Sequence, residues 1–171
     1  MRVAITGGTG SLGQALTRHF LEAGAERVAV ISRDELKQSQ MRQALEKEGG
    51  SRSSRTRLFI GDVRNRRRME QAFYGCEVVV HAAALKRVDA DASHMGEIKA
   101  TNVDGTENVI DAALAAGVKR VLFISSDKAV EPTNMYGASK AAAEWIAVGA
   151  NAITYPRGLG VSVLRYGNVL G

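Results

Sequence analysis

The 171 residues carry 23 Lys and Arg against 18 Asp and Glu, a formal charge of +5, and are 45% hydrophobic. A chain so rich in Val, Ile, Leu and Ala does not stay disordered, and its length suits one domain with a real core. Cys76 is the single cysteine and no apolar run approaches the roughly 20 residues of a membrane helix, which excludes an internal disulfide and a membrane span, argues against a cysteine-ligated metal cluster, and favours a soluble protein of a reducing cytoplasm.

The first apolar run, Val3–Thr6, reaches Gly7-Gly8 before any secretory stretch can form. It reads as a strand entering Thr6-Gly7-Gly8-Thr9-Gly10-Ser11-Leu12-Gly13, and a helix-like Ser11–Ala23 ends at Gly24. Gly7, Gly10 and Gly13 fall at G-x-x-G-x-x-G spacing. Glycine permits the tight turn, brings backbone close to a pyrophosphate, and lets helix pack on strand. The helix amino terminus then aims free N–H groups and partial positive charge at the phosphates. Gly7, Thr9, Gly10, Ser11, Leu12 and Gly13 are therefore the candidate phosphate contacts, in the strand-turn-helix context of a dinucleotide fingerprint.

The second strand, Val28–Ser32, ends at Ser32-Arg33-Asp34, about 20 residues past the glycines, where a ribose-reading residue is expected. An NAD site usually places an acid at this tip. Ser32 and Arg33 offer instead a hydroxyl and a guanidinium fork suited to a 2′-phosphate, and Lys37 adds charge one turn on. NADP is expected over NAD, with Asp34 keeping NAD open. After a helix over Glu35–Glu48, Arg52, Arg55, Arg57, Arg64, Arg66, Arg67 and Arg68 crowd around the third strand, Leu58–Ile60. They read as a solvated loop and helix start, with a nucleic-acid patch the weaker reading. Asp62-Val63 is placed to hold the adenine edge, although Asp62 can equally cap a turn.

Arg66–Tyr74 reads as a helix and Val78–His81 as the fourth strand, with Cys76 a small core residue and His81 a packed, satisfied histidine. A helix over Gly96–Ala116 ends at Gly117, and the fifth strand, Val121–Ser125, leads into Ser126-Asp127-Lys128 at the carboxyl edge where doubly wound sheets bind ligands. In the next helix, Tyr136–Asn151, Tyr136 and Lys140 stand at i,i+4 and share one side. A nearby ammonium lowers a phenol's pKa, so Tyr136 is expected to act as a base while Ser126 bonds the substrate oxygen. Met135 and Trp145 read as packing residues. With a sixth strand over Val161–Arg165, the alternation implies an α/β doubly wound parallel sheet, helices on both faces, in one domain over residues 1–171.

Thr6–Gly13, Asp62-Val63, His81-Ala82-Ala83-Ala84, Ser126 and Tyr136-x-x-x-Lys140 together resemble an extended short-chain dehydrogenase/reductase. More narrowly, Ser32-Arg33-Asp34-Glu35-Leu36-Lys37-Gln38, Ala82-Ala83-Ala84-Leu85-Lys86, Thr101-Asn102-Val103, Ser126-Asp127-Lys128-Ala129 and Arg165-Tyr166-Gly167-Asn168-Val169-Leu170-Gly171 resemble the nucleotide-sugar 4,6-dehydratases of bacterial polysaccharide biosynthesis. Within these the likeness is to the C5-inverting type acting on UDP-N-acetylglucosamine. The resemblance implies an NAD(P)-binding Rossmann fold and an NADP-linked lyase in which hydride leaves sugar C4 and returns at C6. It also implies a homo-oligomer with a nucleotide-sugar substrate and no membrane partner.

By the same resemblance, Ala82, Ala83 and Lys86 join the cofactor site, and Lys86, Lys128 and Asn168 meet the sugar nucleotide. The catalytic set is Ser126, Asp127, Lys128, Tyr136 and Lys140, with no metal. Lys128, neutral part of the time, takes the C5 proton, and Asp127, kept protonated, helps the C6 hydroxyl leave. The family continues past a sixth strand into a carboxyl-terminal substrate lobe, so the expectation is a fragment or a decayed homologue without that lobe, its last sheet edge open. The Asn-Pro expected between Asp91 and Gly96 is absent. The alternatives are a nucleotide-sugar epimerase or reductase using the same Tyr-Lys pair, and a non-catalytic dinucleotide-binding module.

Overall fold

Short Val- and Ile-rich strands bury both faces when helices cover both sides of the sheet. A computed structural model describes residues 1–86 and 92–168, so Asp91 and the Val169-Leu170-Gly171 end of the last motif lie outside the described residues. Strands β1 (Arg2–Thr6), β2 (Arg27–Ser32), β3 (Thr56–Ile60), β4 (Val78–His81), β5 (Arg120–Ser126) and β6 (Gly160–Tyr166) form one sheet. All neighbours run parallel, in the order β3-β2-β1-β4-β5-β6. The order reverses between β1 and β4, the switch point at which such sheets open a ligand crevice. This is the doubly wound α/β sheet that the alternation of elements implies.

The helices are α1 (Ser11–Glu22), α2 (Glu35–Lys47), α3 (Arg52–Arg55), α4 (Arg66–Phe73), α5 (Met95–Lys99), α6 (Gly105–Ala115) and α7 (Met135–Thr154). Alternating strand residues sort between two cores. Val3, Ile5, Val28 and Val30 meet Leu21 of α1 and Met41 and Leu45 of α2 on one side. Ala4, Ala29, Ile31 and Val79 meet Met69 and Phe73 of α4, Val109 of α6, and Ala143 and Ala147 of α7 on the other. Each large side chain so buried contributes about 2 kcal/mol.

Three expectations need correction. The stretch read as one helix over Gly96–Ala116 is α5, then a π-helical turn over Ala100–Asp104, then α6. There the Gly105 N–H reaches Ala100 O, and a Cβ on Gly105 would stand 2.7 Å from Val63 Cγ2. The widened turn faces both Thr101 and Asn102 inward, which local periodicity does not report. The arginine-rich segment is solvated and opens a helix as read, but it also contains a helical turn, α3, and several of its cations bond within the chain. Arg52 pairs with Glu22 and Glu48, Arg55 caps the Leu21 and Ala25 carbonyls, and Arg66 pairs with Glu70 and Asp111.

The third correction is Trp145, which is 80% exposed. The small Ala143 and Ala147 seat α7 against the core, and the indole between them in sequence points away from it. Met135 is half-buried, while Cys76 is buried as read. No helix among the described residues is long and apolar enough to cross a membrane.

Candidate active site

The glycine turn is held by backbone. Gly7 adopts φ +68°, and a Cβ there would stand 2.8 Å from Ala83 N and 2.9 Å from Ala82 O. A Cβ on Gly13 would run into Gly8 Cα, with Gly7 O at 2.6 Å. These two glycines are demanded by the protein's own close approach of turn, helix and the loop after β4. Gly10 differs. A Cβ there meets only Gly7 O, at 3.3 Å, so its other side is open. The Gly10 amide donates to Gly7 O and the Gly8 amide to Ile31 O, which fixes the turn. No side chain caps α1 and no acid stands in its first turn, leaving amino-terminal N–H groups and the helix dipole for an anion. A cradle that a Cβ would fill, beside uncapped amides, fits a dinucleotide pyrophosphate.

Past the tip of β2, Asp34 caps α2 by accepting from the Lys37 amide at 2.9 Å, and Lys37 Nζ stands 3.6 Å from its other oxygen. That backbone bond comes first among the causes holding the Asp34 carboxyl below its ordinary value. The Ser32 hydroxyl is tied down by Gln38 Nε2 at 3.1 Å. Arg33 lies 3.8 Å from Asp62, its side chain 51% exposed. Asp62 accepts from the Arg64 amide, Nε and Nη2. Burial alone would raise the Asp62 carboxyl, but these Arg64 bonds outweigh it and lower it. The turn-capping role of Asp62 is the one its carboxylate fills, with Val63 buried beside it under Gly105.

At the other side of the crevice, β5 ends at Ser126 and a 3₁₀ turn follows over Asp127–Ala129. Asn134 caps α7, and Gly137 lets its first turn press on that 3₁₀ turn, since a Cβ there would run into Lys128 O. This seats Tyr136 beside the strand end. Ser126 Oγ donates to Asp127 Oδ1 at 2.9 Å, and Lys128 Nζ reaches Asp127 Oδ1 at 3.1 Å and Asn168 Oδ1 at 3.2 Å. Ser126, Asp127, Lys128, Tyr136 and Asn168 thus converge. Lys86 is exposed on the loop after β4.

Lys140 does not join them in the way its spacing suggests. Its ammonium is buried, donates to Ile124 O at 2.6 Å and lies 4.2 Å above the Phe123 ring. Burial pulls Lys140 down to about 8, with Glu144 acting against it. The expected lowering of the Tyr136 phenol is reversed: burial raises it, and the Ser126 hydroxyl bond only partly compensates. Asp127 is likewise not held protonated. The Ser126 hydroxyl, then Lys128, lower its carboxyl.

Four supporting residues, Asn102, Ser139, Glu144 and Arg165, had no role assigned from sequence, although Asn102 and Arg165 lie in motifs that carry the resemblance. Asn102 clamps the loop after β4, accepting from Leu85 N and donating to Leu85 O, and also donates to Ser139 Oγ. Glu144 takes a bidentate fork from Arg165, tying α7 to β6. Glu144 stands at i+4 from Lys140 and was findable by helix spacing; no short-range signal links it to Arg165.

The glycine cradle at the switch point and the Tyr-Lys pair beyond a strand-end serine define a Rossmann protein of the short-chain dehydrogenase/reductase kind. The chain belongs to the polysaccharide biosynthesis protein family, whose profile matches residues 3–171. It is 42% identical to a UDP-N-acetylglucosamine 4,6-dehydratase (inverting) of Campylobacter jejuni, over 99% of this chain and 49% of that protein. It is 41% identical to a UDP-glucose 4-epimerase of Rickettsia conorii, over 97% and 48%. Among solved structures it superposes on Pen from Bacillus thuringiensis with a TM-score of 0.93, 36% identity, and coverage of 99% and 51%. A double mutant of the dTDP-glucose 4,6-dehydratase DesIV of Streptomyces venezuelae, bound to NAD, gives a TM-score of 0.79, 26% identity, and coverage of 96% and 55%. The chain spans about half the length of the curated relatives it matches.

Proposed function

We propose that this chain is the cofactor-binding Rossmann domain of a nucleotide-sugar 4,6-dehydratase, of the C5-inverting class that takes UDP-N-acetylglucosamine, and that it binds NADP in preference to NAD. The observation that carries this reading is the Ser126-Asp127-Lys128 turn packed through Gly137 on the helix start that holds Tyr136. The NADP preference is supported by Asp34, whose carboxylate is spent on capping α2, and by the half-exposed Arg33.

A bound nicotinamide would supply the acceptor for hydride from sugar C4 and the donor back to C6, with C5 taking a proton from water on the face opposite Lys128. Tyr136 takes the C4 hydroxyl proton, with Ser126 bonding the same oxygen. The resulting ketone acidifies C5–H, which Lys128 removes. Lys128 and Asp127 form an ion pair, the wrong protonation for this step. When substrate excludes water the pair is desolvated, and one Nζ–H proton passes to Oδ1. That transfer leaves a neutral amine to take the C5 proton and a protonated acid to release the C6 hydroxyl as water.

Incubation with UDP-N-acetylglucosamine in deuterated water tests the reading. Loss of one water with one deuterium entering at C5 is the expected result by mass spectrometry. A C4 epimer of unchanged mass would replace it with the epimerase reading, which the 41% identity to the Rickettsia enzyme favours.

A further inference from the structure

His81 ends β4 with its ring 1% exposed and both nitrogens engaged. Nδ1 lies 2.7 Å from Thr6 Oγ1, and Nε2 lies 3.1 Å from Thr106 Oγ1. The hydroxyl protons decide the tautomer. Thr106 Oγ1 spends its proton on Asn102 O at 2.7 Å, so toward the ring it can only accept, and Nε2 must carry the hydrogen. A neutral ring then has a bare Nδ1, which takes the Thr6 hydroxyl proton. Thr6 Oγ1 in turn accepts from the Ala83 amide at 3.3 Å. Beyond Asn102 the chain continues: Asn102 Nδ2 donates to Ser139 Oγ at 2.9 Å, and Ser139 Oγ donates to Tyr136 O at 2.7 Å.

Every donor in this series points the same way, from the Ala83 amide at one end to the backbone of Tyr136 at the other. One end is the loop against which Gly7 packs; the other is the turn of α7 that carries the phenol. We propose that His81 is a positioning residue, held as the neutral Nε2–H tautomer, that joins the wall of the dinucleotide cradle to the start of the phenol-bearing helix. A single ring accepts for one side and donates to the other. Burial, with Lys140 acting in the same direction, draws His81 down to about 3, which keeps the ring neutral at physiological pH.

Two near-isosteric variants separate the halves of the series. His81→Asn keeps an acceptor for Thr6 in place of Nδ1 and loses the donor to Thr106. His81→Gln keeps an amide donor in place of Nε2–H and loses the acceptor for Thr6. The expected result is a split: His81→Asn holds dinucleotide affinity within about threefold and loses tenfold or more in kcat, while His81→Gln does the reverse. The ¹⁵N shifts of the ring in the unmodified protein give an independent reading and are expected to show a protonated Nε2 and a bare Nδ1. A protonated Nδ1, a cationic ring at neutral pH, or parallel losses of affinity and kcat in both variants would overturn the proposal. The kcat arm rests on the dehydratase reading, whereas the tautomer and the calorimetric affinity do not. A protein that converts no sugar nucleotide yet shows the Nε2–H ring, with affinity lost only in His81→Gln, retires that reading and keeps the network.

Discussion

The two sides of the crevice are built by different means. The cradle is a backbone construction, fixed at Gly7 and Gly13 by atoms that would collide with an added Cβ and open beside Gly10. The mouth around Ser126, Asp127, Lys128 and Tyr136 is a side-chain construction, fixed by hydrogen bonds among groups that titrate. Backbone geometry is complete without a ligand. Protonation is not: Tyr136 sits above its ordinary value and Asp127 below, opposite to what the proposed chemistry needs of each. The cradle is therefore pre-formed, while under the proposed chemistry the mouth would acquire its working charges only when substrate displaces water.

The sharpest way to break this contrast is within the cradle itself. Gly13→Ala forces its Cβ into the Gly8 backbone and is expected to destabilise the fold by about 3 kcal/mol in chemical denaturation. Gly10→Ala has only Gly7 O nearby at 3.3 Å, so it is expected to keep stability and lose at least tenfold in dinucleotide affinity by calorimetry. Equal losses of stability in both would mean that the turn is closed by packing alone. In the mouth the next largest effect is kinetic. Tyr136→Phe should lower kcat about 1000-fold with dinucleotide affinity unchanged, because in the proposed reaction the phenol takes the substrate proton. Retained turnover would remove Tyr136 as the base.

The same contrast explains what could be read in the residues beforehand. The cradle was legible because its demands are local: a strand, a glycine every third residue and a helix follow one another within Val3–Gly13. The six strands were legible because Val and Ile runs of that length suit a covered parallel sheet. The mouth was legible as a set of residues but not as a set of charges. Lys140 spends its ammonium on Ile124 O and the Phe123 face, partners on another element that i,i+4 spacing cannot reveal. The π-helical turn depends on Gly105 meeting Val63, 42 positions away in sequence (105 − 63), and periodicity does not encode such a contact. Trp145 was misread because composition reports that an indole is apolar, not which side of α7 the alanines hold against the core.

A smaller effect comes through acid. His81 takes a proton near 6.5 when unfolded and only near 3 when folded, so the unfolded chain binds more protons between those values. Stability tied to this ring is present above about pH 6.5 and lost as pH falls toward 3, on the order of 5 kcal/mol in total. Acid unfolding followed by circular dichroism should be visibly less steep in His81→Gln. Lys140 acts at the other limit. The folded state releases that proton near 8 and the unfolded state near 10.5, so stability rises with pH across this interval. A flat alkaline limb would show that the ammonium is better solvated than its contacts imply.

The finest test lies at the tip of β2, where the proposed NADP preference rests on charge rather than backbone. Arg33 is half-exposed and only loosely paired with Asp62, so it can turn to a 2′-phosphate without breaking a tight contact. Arg33→Ala should weaken NADP about tenfold and leave NAD within twofold. Asp34→Ala separates the alternatives from the other direction. Its carboxylate accepts the Lys37 amide, so its loss should cost about 1 kcal/mol of stability as a missing helix cap and should not change NAD affinity. If NAD binding instead falls tenfold with stability intact, Asp34 reads the ribose hydroxyl and the cofactor preference inverts. The two substitutions are adjacent in sequence, yet one is expected to change a ligand contact and the other a helix end.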